Sequence, residues 1–408
     1  MENLKKLTPH FIVILLFVLI SFIYFSPVLE GKMLDQHDVK TFKGMSKEIR
    51  DYREITGEEA LWTNSMFSGM PAYQISVKFH NNLIQYVDKI ITLGLPRPVN
   101  LLFLYLLGFY ILLLTLKIEY RLAFVGAIAF AFSSYFFIII QAGHMSKAHA
   151  IGYLPMVVAA VIYTFNGKKL LGASLTALAV ALQVYTNHFQ ITYYLVLLLL
   201  IYGVIQFINE LNKGNLIDFI KRSTLLILAA LLAAGTSYTR LKTTSDYGKE
   251  STRGKSELTN NIENKTSGLD KDYATQWSYG IAETMTFLIP NFHGGSSINS
   301  VLSVDDSETL SFLRKFKNKK LANSLAQFKT SSYWGEQPIV SGPTYVGAII
   351  LFLFVLGMFI VKSNFRVWIL LATIMSIMLA WGKNFMPLTE LFLDYFPGYN
   401  KFRAVSMI

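Results

Sequence analysis

The sequence predicts an all-α, polytopic membrane protein, and three observations carry that prediction. Apolar residues make up 53% of the chain and charged ones only 15%, too apolar a balance for an ordinary soluble domain and one that suits contact with lipid. The apolar residues fall into runs of a length that crosses a bilayer, for which roughly 17–25 residues are needed. Lysine and arginine gather in alternate short loops between those runs, which is the bias that sets membrane topology.

The first run, 11–25, follows Lys5 and Lys6 and gives a span within 1–26. A cleaved signal peptide fits less well, because Ser26-Pro27-Val28-Leu29-Glu30 lacks the small-x-small cleavage pattern. Residues 27–98 read as a long outer loop with an acidic motif, Leu34-Asp35-Gln36-His37-Asp38, and a helix over about 40–56. Six runs then form a bundle over 99–238, at about 99–116, 122–140, 151–165, 170–185, 191–208 and 223–238. A large polar segment, 239–342, interrupts them, and its Ser/Thr/Asn/Lys-rich part, 243–268, has the composition of a mobile stretch. Two further spans, 345–361 and 365–381, lie within 343–382. The remainder, 383–408, reads as an outer amphipathic tail whose last residues, Phe402 to Ile408, look like the start of a further, truncated region. About nine spans result if none is re-entrant.

Orientation follows from the short loops. With the N-terminus inside, the inner loops hold Lys117 and Arg121, Lys168 and Lys169, Lys213, Lys221 and Arg222, then Lys362 and Arg366. The short outer loops hold only Lys147, so the N-terminus is expected to be cytoplasmic and the Asp35 loop extracytoplasmic. The net charge of +11 is spread over span ends rather than gathered in one basic domain, which argues for topology and anionic lipid and against nucleic acid. The chain has no cysteine, so thiolate chemistry and disulfides are excluded.

Polar groups at span ends are costly and therefore mark candidate sites. In this topology the outer ends carry Gln141, His144, Lys147, His149, Asn187, His188, Gln190 and Arg240. Asp35 and Asp38 suit a general base with a metal-binding or orienting partner, since carboxylates accept protons and bind hard cations; a helix cap is the plainer alternative. Asp38, at the expected helix start, is the preferred base and Asp35 the partner, with Mg or Mn as the divalent cation if one is used. Lys147, Arg240 and Lys242, with His144 and His188 beside them, suit a phosphate or diphosphate, or simply anionic headgroups. His144 and His149 are too loosely spaced for a zinc site. Trp334, Glu336 and Gln337, in Tyr333-Trp334-Gly335-Glu336-Gln337-Pro338, pair an aromatic surface with a carboxylate and are candidates for binding a sugar or acceptor; an interfacial aromatic belt is the alternative. No Walker loop, Rossmann fingerprint or Gly-x-Ser-x-Gly elbow is present, so energy must come from an activated substrate or a gradient.

Several segments together resemble the YfhO-like bacterial membrane protein family: 62–73 (Trp62 to Tyr73), Gly143-His144-Met145-Ser146-Lys147, Asn187-His188-Phe189-Gln190, 333–338 and Asn400-Lys401-Phe402-Arg403. They are scattered along nearly the whole chain. The resemblance implies a GT-C-like helical bundle with extracytoplasmic loops in the bacterial cytoplasmic (inner) membrane. It further implies glycosyl transfer from a polyprenyl-phosphate sugar donor to a cell-envelope acceptor, which is a polymer, lipid or protein. GT-C enzymes keep an acidic motif in the first outer loop, and the matching positions are Asp35 and Asp38; Asp-x-x-Asp departs from the commoner Asp-x-Asp. Members are usually longer than this chain. A transporter or lipid flippase is the competing expectation, although the spans carry almost no charge at mid-depth. A non-catalytic envelope assembly protein is a third.

Overall fold

The structure is a computed structural model that describes residues 2–255, 261–297, 308–315, 317–321 and 332–403. Among these the regular structure is nearly all helical, and named strands are confined to one two-stranded hairpin, Trp62–Thr63 with Met70–Pro71. The chain divides into two compact units, Met1–Phe132 with Ile139–Gly248, and Ser133–Ile138 with Lys249–Ile408. The five C-terminal residues expected to begin a further span, and parts of the polar segment 239–342, lie outside the described residues.

Three described helices are long and apolar enough to cross a membrane: Lys6–Tyr24, Met145–Asn166 and Phe189–Asn212. Up to five spans result if each of two broken helix pairs counts as one. The helices Val99–Thr115, Lys169–Tyr185 and Ala348–Ile360 are apolar but shorter. At about 1.5 Å per residue, 17 residues rise roughly 25 Å, less than a hydrocarbon core of about 30 Å. The Leu216–Gly235 helix begins well before the apolar run at 223 and takes Asp218, Lys221 and Arg222 into its first turns.

In the first unit the Met145–Asn166 helix is the hub. Its residues from Ala148 to Ile162 are almost all buried, and it packs against Val99–Thr115 and Lys169–Tyr185. Small residues set those approaches. A Cβ on Gly108 would sit 2.6 Å from the Gly152 carbonyl oxygen, and one on Gly172 would sit 2.6 Å from Thr164. Close backbone approach at small residues is how apolar helices associate where burial from water offers no drive. Arg222 closes the far end of the hub helix by donating to the Thr164 and Gly167 carbonyls while pairing with Asp218, so the carbonyls left open at a helix C-terminus are satisfied.

The segment between the first two apolar helices is held by its own polar contacts. The helix expected over 40–56 forms as two, His37–Met45 and Lys47–Thr56, with Ser46 between them. Glu48 accepts from the Thr63 hydroxyl and the Ser65 amide, which ties the hairpin to the second helix. Arg53 grips Glu59 with two nitrogens and also donates to the Ser76 carbonyl, the bidentate geometry that makes arginine pairs specific.

The run at 122–140, expected as one span, is two helices, Tyr120–Ala131 and Ser134–Ala142. Within the second unit the Ser134 hydroxyl donates toward the Pro343 and Tyr345 carbonyls and accepts from the Tyr345 amide. A serine that bonds outside its own helix competes with helix continuation. Elsewhere in this unit Asn364–Ala380 and the segment Gly382–Tyr395 turn through 116°, with the Trp381 indole donating to Thr284.

Candidate functional site

The first unit contains a cavity of about 920 Å³ built where the segment after the first apolar helix meets the ends of three helices. Its wall includes Asp38, Lys43 and Arg50 from the two loop helices, Phe79, Asp88 and Arg97 from the rest of the loop, His144, Lys147 and His149 from the hub helix, and Tyr185, His188 and Arg240. Lys43, Arg50, Arg97, Lys147 and Arg240 stand against only two carboxylates, Asp38 and Asp88. A concave site with this excess of cations and fixed donors is suited to an anionic ligand.

Asp38 lies in the first turn of the His37–Met45 helix, where a negative charge is favoured by the helix terminus. Its carboxylate is 3.2 Å from Nε2 of His144, with both side chains about half exposed. Gly143 makes this approach possible: its φ is +93°, and a Cβ there would lie 3.0 Å from the Asp38 Cβ and 3.2 Å from the Val39 amide nitrogen. Beside it, Gln36 donates to the Ile140 carbonyl and pins the start of the loop helix. Gly143→Ala should therefore strain the turn, at a cost of about 1–3 kcal/mol, and push Asp38 from His144. The expected outcome is a protein with a lower unfolding midpoint and a loss of activity greater than its loss of folded material. Unchanged activity in Gly143→Ala would show that the Asp38 position is not critical.

Burial, followed by the charge of Lys147, lowers the His144 imidazole below its ordinary range against the pull of Asp38. His144 is accordingly mostly neutral at pH 7, so its 3.2 Å approach to Asp38 sets a carboxylate against a largely uncharged ring. His188 stands at the N-cap of Phe189–Asn212, where its Nδ1 accepts from the Ile191 amide. Asn187 before it has φ +60°, a left-handed conformation that asparagine tolerates. Arg240 donates to the Tyr185 carbonyl and lies over the Phe79 ring, 4.8 Å from its centroid. Burial lowers its pKa, with Tyr185 opposing, and no carboxylate pairs with it among the described residues.

The cavity thus brings together seven residues singled out from the sequence: Asp38, His144, Lys147, His149, Asn187, His188 and Arg240. It leaves out Asp35, which is 75% exposed and paired with Lys40 at 2.5 Å. Trp334, Glu336 and Gln337 belong to the second unit. There Gln337 and the Tyr333 hydroxyl donate to the buried Glu283 carboxylate, whose other oxygen accepts from the Gly280 amide. Glu336 faces Lys383 at 3.6 Å, and the Trp334 ring is exposed. Lys242 pairs with Asp246.

A divalent cation at Asp35 and Asp38 would have to displace Lys40 from the first and share the second with His144. Among the described residues no group of three His, Cys, Asp or Glu is placed to hold a metal. Asp35 lies outside the cavity that Asp38 lines.

Sequence reasoning missed Asp88. It sits on the short Ile84–Ile91 helix, with Oδ1 2.6 Å from the Tyr153 hydroxyl and 2.7 Å from His149 Nε2. Burial would raise this carboxyl, but contact with His149, the Tyr153 hydroxyl and the charge of Arg97 outweigh it and hold the group below the usual carboxylate range. A signal was present: Ile84, Val87, Asp88 and Ile91 share the inner face of an amphipathic turn, and an aspartate there requires a buried partner.

No protein-family model, curated protein or solved structure matches the chain.

Proposed function

We propose that this chain is a membrane glycosyltransferase of GT-C type, YfhO-like, that moves a sugar from a polyprenyl-phosphate carrier to a cell-envelope acceptor on the extracytoplasmic face of the inner membrane. The observation that carries the reading is the cation-rich cavity with Asp38 at its rim. Arg97, Arg240 and Lys147 supply the charge that a carrier phosphate requires, and Arg240 keeps its guanidinium oriented by a carbonyl and an aromatic face. Asp38 is the base that takes the acceptor hydroxyl proton as that oxygen attacks the anomeric carbon with inversion. Electrostatic stabilisation of the leaving phosphate supplies the rest. Apolar helices long enough to span a bilayer support placing the cavity beside lipid, where a polyprenyl chain partitions.

The test uses membranes from cells that express the full chain. They should transfer labelled sugar from a polyprenyl-phosphate donor to an envelope fraction, and membranes without the chain should not. Ser46 is buried, so the labelling site is the exposed Thr41: in intact cells a cysteine there should label from outside and one at Lys168 only after permeabilisation. Labelling of Lys168 from outside, or no transfer from any such donor, would overturn the proposal.

A further inference from the structure

The cavity holds a second carboxylate–histidine pair that the proposed transfer has not used. His149 is 8% exposed and lines the cavity, while its Nε2 is fully buried against Asp88. The edge left open to the cavity is therefore the Nδ1 edge. Nε2 lies 2.7 Å from Asp88 Oδ1, although off the line of a good hydrogen bond, and the Tyr153 hydroxyl fixes the same oxygen from the buried side. A carboxylate that holds one imidazole nitrogen, with the other nitrogen facing a cavity, is an arrangement that delivers or receives a proton in a set direction.

The charges around this pair indicate which direction applies. Arg97 and Arg240 share the wall with His149, and both act electrostatically, with Asp88, on the Tyr185 hydroxyl. Lys147 lies two residues before His149 on the same helix. A substrate phosphate that answers these cations would sit within this group, so His149 faces the leaving oxygen and not the acceptor. Asp38, in contact with His144, reaches the same cavity from the loop helix.

We propose that His149, positioned by Asp88, is the proton donor to the phosphate oxygen released when the sugar leaves its carrier. The inference rests on the transferase reading and assigns a further catalytic residue within it. The acceptor oxygen forms its bond to the anomeric carbon while the bond from that carbon to the phosphate oxygen breaks. Asp38 takes the acceptor proton, and Nδ1 of His149 gives its proton to the departing phosphate oxygen. The carrier phosphate leaves protonated, His149 is left neutral and Asp38 protonated, and solvent restores both. Asp88 stays anionic throughout and is a positioning residue.

The test compares wild type, His149→Gln and Asp88→Asn in membranes at matched folded protein, with polyprenyl-phosphate glucose, galactose and N-acetylglucosamine as donors across pH 5–9. Wild type should lose rate on the basic side of the range, where a general acid is exhausted. His149→Gln should fall about a hundredfold or more, with its basic limb gone and its donor KM within a few-fold of wild type, because the arginines remain. In Asp88→Asn the basic limb should move to lower pH, since the variant lacks the carboxylate that faces the imidazolium. A purely structural role for the pair would lower the amount of folded protein without moving that limb. Wild-type rate and pH profile in His149→Gln would overturn the assignment of His149 and leave the transferase reading standing. A wild type that transfers no sugar from any of the three donors would overturn the transferase reading itself.

Discussion

Replacing Asp38 by Asn should reduce sugar transfer by about a hundred- to ten-thousandfold, the range set by removal of a positioned base, with the folded protein retained. Asn keeps the size and hydrogen-bonding shape of the side chain but cannot take the proton. The Asp38 side chain is about half exposed, and its contact with His144 is with a ring that is mostly neutral at pH 7, so the change in stability should stay within about 1 kcal/mol. Asp35→Asn is the matched control. Its carboxylate is exposed and paired only with Lys40, and the loss should not exceed the few-fold that a surface pair of under about 1 kcal/mol permits. The measurement is initial transfer rate in membranes with expression matched by blot. Wild-type rate in Asp38→Asn would remove the base from the mechanism, and a large loss confined to Asp35→Asn would move it.

The second large effect is expected at Arg240. Its guanidinium is fixed by the Tyr185 carbonyl and the Phe79 face and has no acidic partner among the described residues. The fork is therefore directed and its charge is available to a phosphate. Arg240→Lys keeps the charge and loses both the fork and the stacking. A hydrogen bond to a charged group contributes about 1.5–3 kcal/mol, so the donor KM should rise about ten- to hundredfold in Arg240→Lys with a smaller change in kcat. Wild-type binding should weaken as salt is raised, and Arg240→Lys, which keeps the charge, should show a similar dependence. An unchanged KM in Arg240→Lys would place the carrier phosphate elsewhere.

The residues that sequence could reach and those it could not differ by a physical rule. Lys147, His188 and Arg240 stand at the ends of apolar runs, where hydropathy and charge bias give each a side and a depth, and the cavity gathers them. Asp38 was reachable because its motif opens a helix. Asp88 carries no motif, and its partners are 61 and 65 residues away on the hub helix, Tyr153 among apolar neighbours. Only its place on the inner face of a short amphipathic turn distinguished it. The break after Ala131 was invisible for a similar reason: the carbonyls that hold Ser134 belong to Pro343 and Tyr345, far along the chain. Span length was overestimated where the apolar run begins before the helix does, as at Tyr345 and Val346 ahead of Ala348.

Gly143 bears on how copies of this protein diverge. It contributes no functional group, yet its missing side chain sets the separation between the Asp38 turn and the hub helix. A lineage that replaced it with any larger residue would keep every aspartate, histidine and arginine of the cavity and still misalign them. Under the proposed transferase reading such a copy would pass a check of polar residues and still lose rate, so in comparing relatives a glycine at this position should track retained transfer better than the acidic pair beside it.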